Sequence, residues 1–261
     1  MIEIKDILQI ASKAGEAIMN IYNSSNEKDF EIEYKEDNSP LTIADKNSNQ
    51  IICSELKKSH PQIPILSEEG ASIPYSGRKD WGKFWLIDPI DGTKEFIKKN
   101  GEFTVNIALI ENNTPTLGVV YAPVLNKYWY GTDKGSYVSE NKKVYKININ
   151  TDLEAPYRIV ASRSHPSPLL KKLLDSLPDY QLVRMGSSIK ICLVAEGSAD
   201  IYPRLAPTME WDTAAAHAVL KYAGGQLIDL NTNAEMVYNR ENLKNSFFIA
   251  NSNMDLEKLL K

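Results

Sequence analysis

Asp88 and Asp91 stand three residues apart in KFWLIDPIDGTKEFI, at the end of an apolar run and directly ahead of Gly92 and Thr93. Pro89 biases Asp88 toward extended backbone and removes the next amide donor. Both carboxylates can therefore face one pocket, with the Ile90 carbonyl free to point the same way. The amides of Gly92, Thr93 and Lys94 would open a helix, whose start favours an anion. Two acids beside an anion-ready helix start are contradictory unless a divalent cation sits between them. A D-x-x-D alone also reads as a capped turn with Asp as N-cap, so other acids must decide. Glu68 and Glu69 end a second short strand, where solvation of a helix face cannot explain them. Asp212, behind Trp211, sits at the start of the helix AAAHAVL; taken singly it reads as an N-cap.

Several carboxylates converging without a cation would repel one another and take up protons. Oxygen donors without a His/Cys cluster favour Mg²⁺ over zinc. Two such ions about 3.5–4 Å apart would clamp both oxygens of an in-line phosphoryl displacement. The residues thus point to metal-assisted hydrolysis of a phosphate ester.

The elements that must position these acids follow from hydrophobic spacing. Ile4, Ile7, Leu8, Ala11, Ala14, Gly15 and Ile18 recur with helical period, predicting an amphipathic helix over 2–22. A short strand and turn end at Pro40. A second helix runs from Thr42 to about Ser59, with Ile43, Ile51, Ile52 and Leu56 on its apolar side. Ile65–Ser67 is a short strand delivering Glu68 and Glu69, and the polar stretch Ala71–Lys83 reads as a surface loop. Phe84–Ile87 is a strand, followed by an acidic turn and a short helix. Phe103–Ile110, Thr116–Tyr121 and Lys127–Gly131, separated by turn signals, predict an antiparallel meander, and a hairpin follows at Ser136–Lys146. The aperiodic stretch Ile147–Pro156 is the best internal boundary. It divides an N-terminal half, 1–150, carrying most of the acids, from a C-terminal half, 151–261, of alternating strands and helices. Gly224–Gly225 stops the Asp212 helix as a left-handed C-cap requires. SFFIAN and MDLEKLLK read as a last strand and helix. Strand runs followed by strand–helix alternation give a layered α+β architecture.

Composition excludes several other functions. The 261 residues carry 30 Lys and Arg against 34 Asp and Glu, a formal charge of −4. No basic stripe exists to hold a nucleic acid polymer, so the charge of an anionic substrate must be met locally. No stretch approaches the ~18 apolar residues of a membrane helix, and the N-terminus does not read as a signal peptide. Cys53 and Cys192, far apart, read as buried free thiols in a reducing compartment. The chain is expected to be cytoplasmic, with peripheral association to the inner membrane and the choice between monomer and homodimer left open.

LSEEG at 66–70, WLIDPIDGTKEFI at 85–97 and EWDTAAAHAVLKYAGG at 210–225 resemble the three signature regions of the inositol monophosphatase superfamily. That superfamily contains Mg²⁺-dependent, lithium-sensitive phosphatases. DNSPLTIAD at 37–45, NGEFTVNIALI at 100–110, LGVVYAPV at 117–124, SRSH at 162–165, GSSIKICLVAEG at 186–197 and IYPR at 201–204 resemble its CysQ-type branch of 3'(2'),5'-bisphosphate nucleotidases, enzymes of sulfur metabolism.

The resemblance implies an αβαβα sandwich of the sugar-phosphatase type and a site holding two or more Mg²⁺. Glu68, Asp88 and the Ile90 carbonyl would hold one ion, and Asp88, Asp91 and Asp212 the second. Thr93, supported by Asp45, would orient the attacking water, with Glu69 close by. Phosphate would rest on the amides of Gly92 and Thr93, beside Glu68, Ile90, Asp91 and Asp212. His165, Ser187, Ser188, Lys190 and Arg204 lie in segments resembling the substrate-facing loops. Taken singly, Lys190 reads as a solvent-facing helix lysine, but its companions in GSSIK tip it toward a ligand contact; Arg204 reads equally as a plain surface residue. Trp85 and Trp211 are expected to wall the site. One departure from the pattern is Ala216, where Gly is expected.

The implied reaction converts adenosine 3',5'-bisphosphate to AMP and phosphate, with the related phosphosulfate as a further candidate substrate. The rivals are an inositol or sugar monophosphatase and, from another class, a phosphonucleotide sensor without turnover.

Overall fold

The computed structural model describes residues 2–25, 32–34, 40–70, 72–162, 168–175, 177 and 179–252. Two helices open the chain, α1 (Ile4–Tyr22) and α2 (Ile43–Ser59), with the short antiparallel pair β1 (Ile32–Tyr34) and β2 (Pro40–Thr42) ahead of α2. A seven-stranded sheet follows in the hydrogen-bonded order β3 (Ile65–Ser67), β4 (Lys83–Asp91), β5 (Thr104–Glu111), β6 (Thr114–Ala122), β7 (Lys127–Thr132), β8 (Gly135–Glu140) and β9 (Lys143–Ile147). β3 and β4 are parallel and the rest is the expected antiparallel meander.

The second sheet uses β10 (Tyr157–Ser162), β11 (Tyr180–Met185), β12 (Ile201–Arg204), β13 (Gln226–Asp229), β14 (Ala234–Glu235) and β15 (Phe248–Asn251), in the order β11-β10-β12-β15-β13-β14. The remaining helices are α3 (Tyr75–Arg78), α4 (Thr93–Ile97), α5 (Pro168–Asp175), α6 (Ile189–Ala195) and α7 (Glu210–Tyr222).

Alternation along the strands builds the layers. Trp85, Ile87, Ile107, Leu109 and Val119 face α1 and α2, whereas Leu86, Ala108, Ile110 and Val120 face α6 and α7. In the second sheet Val160 faces α6 and α7, while Ile159 packs with Leu174 beneath α5. The result is the αβαβα sandwich. Gly118 and Gly131, paired in register, let α7 lie close to the first sheet. A Cβ on Gly118 would stand 2.1 Å from the Ala215 carbonyl oxygen. Ala216 is fully buried in that same layer. At the far end of α7 the Gly225 amide donates to the Leu220 carbonyl and Gly224 takes φ +96°, the expected left-handed stop.

Five local expectations are corrected. β4 does not end at Ile87 but runs on to Asp91, and the acidic segment is strand. Asp88 pairs with Asn106 and Asp91 with Thr104, so three steps on one strand oppose two on the other. This irregularity accommodates Pro89, which has no amide for the ladder. The polar stretch 71–83 contains α3, and its Arg78 is buried, donating to Asn239 and to the carbonyls of Arg240 and Glu241. Ile43 is exposed, since α2 turns that position outward, and Cys53 is half-buried. Trp85, one residue out of phase with Leu86, packs against α1 and α2 on the opposite face from Asp88, so it does not wall the site. The expected helix at 254–261 lies outside the described residues.

Candidate functional site

β3 and β4 run parallel, so they deliver their C-terminal residues to one edge. Ser67 pairs with Ile87, and the Glu68 amide donates to the Ile87 carbonyl at 3.1 Å. Asp88, 1% exposed, therefore sits beside Glu68. From the layer above, α7 presents Asp212 in its first turn, where Oδ2 accepts the Met209 amide at 2.9 Å. Asp212 is therefore not the N-cap residue itself, which is Met209, but the third residue of the helix; its carboxylate caps the Met209 amide and is also a member of the cluster. One carboxylate oxygen from each of Glu68, Asp88 and Asp212 lies within 4.8 Å of the others.

Electrostatically, this trio is an uncompensated arrangement. Burial, then repulsion from Glu68, Asp91 and Asp212, pushes the Asp88 carboxyl well above the usual carboxylate range, and Asp88 and Glu68 share a hydrogen bond. Burial and the nearby Asp91 and Glu68 push Asp212 the same way. Without a cation, carboxylates gathered in this way favour proton uptake. An all-oxygen donor set of this spacing fits a hard divalent metal, and the Ile90 carbonyl lies on the same stretch of β4. Asp91 is close enough to repel Asp88 and Asp212, but its Oδ2 accepts the Ser187 hydroxyl at 2.8 Å and the Ser188 amide at 2.5 Å.

Asp45, buried in the first turn of α2, divides its two oxygens. Oδ2 accepts the Thr42 amide at 2.8 Å and the Thr42 hydroxyl at 2.5 Å, capping the helix. Oδ1 accepts the Thr93 hydroxyl at 3.2 Å. Burial raises the Asp45 carboxyl, the Thr42 donors oppose that rise, and Glu68 adds to it. Gly92 precedes Thr93 at φ +97°, a conformation that suits glycine. The Glu69 carbonyl accepts the Asn49 side-chain amide at 3.2 Å.

A cavity of about 130 Å³ adjoins the acids, lined by Asp91, Gly92 and Asp212 on one side and by Ser187, Ser188, Lys190, Tyr202 and Arg204 on the other. Lys190 is 6% exposed, not solvent-facing. Its Nζ donates to the Ser187 carbonyl at 2.5 Å and stands 5.4 Å from the centre of the Tyr202 ring. Burial lowers its pKa to about 8 despite the opposing pull of Asp91. Arg204 donates to the Pro207 carbonyl at 2.9 Å. His165 lies outside the described residues.

Sequence reasoning passed over Thr104 and Asn106, yet their hydroxyl and amide tie the cavity floor together. Thr104 meets Ser187 at 2.6 Å and Ser188 at 2.9 Å, and Asn106 Oδ1 accepts the Ser188 hydroxyl at 2.9 Å. A visible signal existed: they are the polar pair in the otherwise apolar run FTVNIALI. Tyr202, Thr208 and Glu95 also line the cavity without such a signal.

Five packed layers with an acid cluster where two strand ends meet a helix start define a sugar-phosphatase type of protein, and the chain belongs to the inositol monophosphatase family, whose family model matches residues 3–261. Within it, the chain is 46% identical over 226 residues to the 3'(2'),5'-bisphosphate nucleotidase CysQ of Escherichia coli K12, covering 87% of this chain and 90% of that protein. It is 47% identical to the CysQ of Buchnera aphidicola, over 85% of this chain and 82% of the relative. Among solved structures, the CysQ of Bacteroides thetaiotaomicron superposes with TM-score 0.85 at 40% identity, covering 96% and 97% of the two chains. Among the described residues, no helix is long and apolar enough to cross a membrane.

Proposed function

We propose that this chain is a Mg²⁺-dependent 3'(2'),5'-bisphosphate nucleotidase, a phosphatase releasing the 3'-phosphate of adenosine 3',5'-bisphosphate to leave AMP. The observation that carries the reading is the junction of an acid trio with a cavity containing two cations, Lys190 and Arg204. A substrate with phosphates on both sides of a ribose needs a counter-charge away from the acids, and those two side chains offer one. Its curated relatives named as this nucleotidase share close to half their residues with the chain.

In this reading Glu68, Asp88 and Asp212, with Asp91 and the Ile90 carbonyl, hold the metal. Bound Mg²⁺ would offset the charge of the acids and of the phosphoryl oxygens. The departing phosphate rests against the turn at Gly92 and Thr93. Thr93 accepts a hydrogen bond from the attacking water and passes its own hydroxyl hydrogen toward Asp45 Oδ1. Attack at phosphorus breaks the bond to the ribose oxygen, which takes a proton from solvent water and leaves as a hydroxyl, while the proton of the attacking water passes through Thr93 to Asp45. Ser187, Ser188, Lys190 and Arg204 orient the rest of the nucleotide.

Phosphate release from adenosine 3',5'-bisphosphate, inositol monophosphate and fructose 1,6-bisphosphate tests the reading. Adenosine 3',5'-bisphosphate should be hydrolysed with the highest kcat/KM. Preference for inositol phosphate would make the chain a monophosphatase, and binding without turnover would make it a sensor. Lys190→Ala sharpens the test. A charge-assisted contact is worth about 1.5–3 kcal/mol, or about 10- to 150-fold in kcat/KM. That loss should fall on the bisphosphate and largely spare a monophosphate.

A further inference from the structure

α2 carries two adjacent residues that the proposed chemistry leaves unused, Ser48 and Asn49. The fully buried Ser48 hydroxyl donates to the Pro89 carbonyl at 2.9 Å, between Asp88 and Ile90. Asn49 makes a more unusual grip. Its Oδ1 accepts the Ser67 hydroxyl at 2.7 Å, and its Nδ2 donates to the Glu69 carbonyl at 3.2 Å. These are the residues immediately before and after Glu68. The Cys53 thiol, one turn further along α2, donates to the same Oδ1 at 3.2 Å, so two donors fix which end of the amide is oxygen.

The backbone alone holds this corner loosely. β3 is three residues long, and after it the Glu68 amide bonds to Ile87 and the Gly70 amide to Ser67. A cavity of about 370 Å³ lies behind the turn, lined by Asn49, Cys53, Ser67, Glu69 and Gly70 among others. Little packing therefore supports the turn from that side. A carboxylate that must meet two others across a short gap needs its backbone held in one place.

We infer that Asn49 is a positioning residue: by gripping Ser67 and Glu69 it fixes Glu68 between them and so sets the geometry of the acid cluster. Ser48 does the same, through one bond, for the Asp88–Ile90 segment of β4. With Asp45 on Thr93, one face of α2 thereby registers three separate segments of the site. The inference rests on the reading of Glu68, Asp88 and Asp212 as metal ligands. Groups that orient ligands without touching the ion commonly change its affinity by about 10–100-fold when removed.

The test is titration of Mn²⁺ into the chelator-stripped protein, with free Mn²⁺ followed by electron paramagnetic resonance. Asn49→Ala should weaken Mn²⁺ binding about tenfold, and Ser67→Ala should weaken it less. The double variant should cost less than the product of the two, because both remove one linkage. In Mg²⁺ activation curves the half-saturating concentration should rise for Asn49→Ala, while kcat at saturating metal stays within about twofold of the parent. Unchanged Mn²⁺ affinity in Asn49→Ala overturns the inference when Asp88→Asn loses binding, even if the melting temperature of Asn49→Ala falls. Full affinity in Asp88→Asn as well would show that the acids are not the metal site, and both readings would fall together. Should Asn49→Ala fail to fold, Ser67→Ala decides alone: unchanged affinity there refutes the grip.

Discussion

Asp88 and Asp200 are both almost fully buried aspartates at the edges of sheets, 1% and 2% exposed, yet their surroundings are opposite. Asp200 accepts the Arg158 amide at 2.7 Å, the Arg158 guanidinium at 2.6 and 3.2 Å, and the Asn150 amide at 2.9 Å. Burial pushes its carboxyl upward, but Arg158 and Asn150 outweigh it and hold it below the usual carboxylate range. Asp88 accepts the Ile90 amide at 3.1 Å, has no ion pair among the described residues, and faces three other acids. Where an acid serves the fold, this chain supplies a cation of its own. At the strand ends it does not, and the charge balance has to come from outside. Asp45 is intermediate, with three donors that are all neutral.

Replacing each acid by its amide should separate these roles most sharply. Asp88→Asn removes a proposed metal ligand and should lower kcat by about 10³-fold or more, equivalent to about 4 kcal/mol of transition-state stabilisation. The metal-free melting temperature should not fall, since the amide relieves repulsion. Asp200→Asn should leave kcat within about twofold but cost about 2–3 kcal/mol of stability, because Arg158 loses its acid. The cost sits at the low end of buried pairs because the Arg158 side chain is a third exposed. Steady-state assays and calorimetric melting read both effects. Equal activity losses in the two variants would break the contrast.

Thr93→Ala probes the intermediate case. It removes one of the neutral donors to Asp45 and the hydroxyl placed to face the attacking water. A drop in kcat of about 10²-fold with little change in KM is expected, the scale of general-base assistance. If kcat is unchanged, Asp45 serves as a helix cap and the water needs no help from this pair.

The acids were legible because a strand interior excludes charge, so carboxylates at the ends of apolar runs stand out from solvated ones. The layers were legible from alternation followed by helix periodicity. The burial of Lys190 was not, because a lysine early in a helix ordinarily faces solvent. Here α6 lies between the sheets, and Ile189, Lys190, Ile191, Cys192, Val194 and Ala195 are all buried. The absence of a polar face in IKICLVA was the available signal. Arg78 was hidden for another reason: its partner Asn239 is 161 residues away, and no local pattern encodes such a contact. The continuation of β4 past Pro89 has no local signal, because the sequence does not reveal the irregular pairing that accommodates a proline there. Asn49 carried no signal at all, since its partners lie on a turn that only the tertiary fold brings against α2.

The smallest expected effect is the most discriminating, because the two aspartates should respond to pH with opposite signs. The folded pKa of Asp200 is lowered, so its stabilisation is present above the unfolded value near 3.8 and is lost as pH falls through the folded value. The folded pKa of Asp88 is raised, so its stabilisation is complete below about 3.8 and is lost as pH rises through the folded value. Melting of the metal-free protein from pH 4 to pH 8 should show this as differences from the parent. The gap between parent and Asp200→Asn should hold at its full size across the range and shrink only below pH 4. The parent should lose ground to Asp88→Asn as pH rises, by a few degrees, with each kcal/mol moving the midpoint of a chain this size by about 2–4 °C. Added Mg²⁺ should erase that second trend, since a cation replaces the proton among the acids. It should leave the Asp200 difference untouched. A parent and Asp88→Asn that melt in parallel at every pH would mean that the acid cluster is relieved by something other than protons, and the contrast between the two buried aspartates would lose its electrostatic basis.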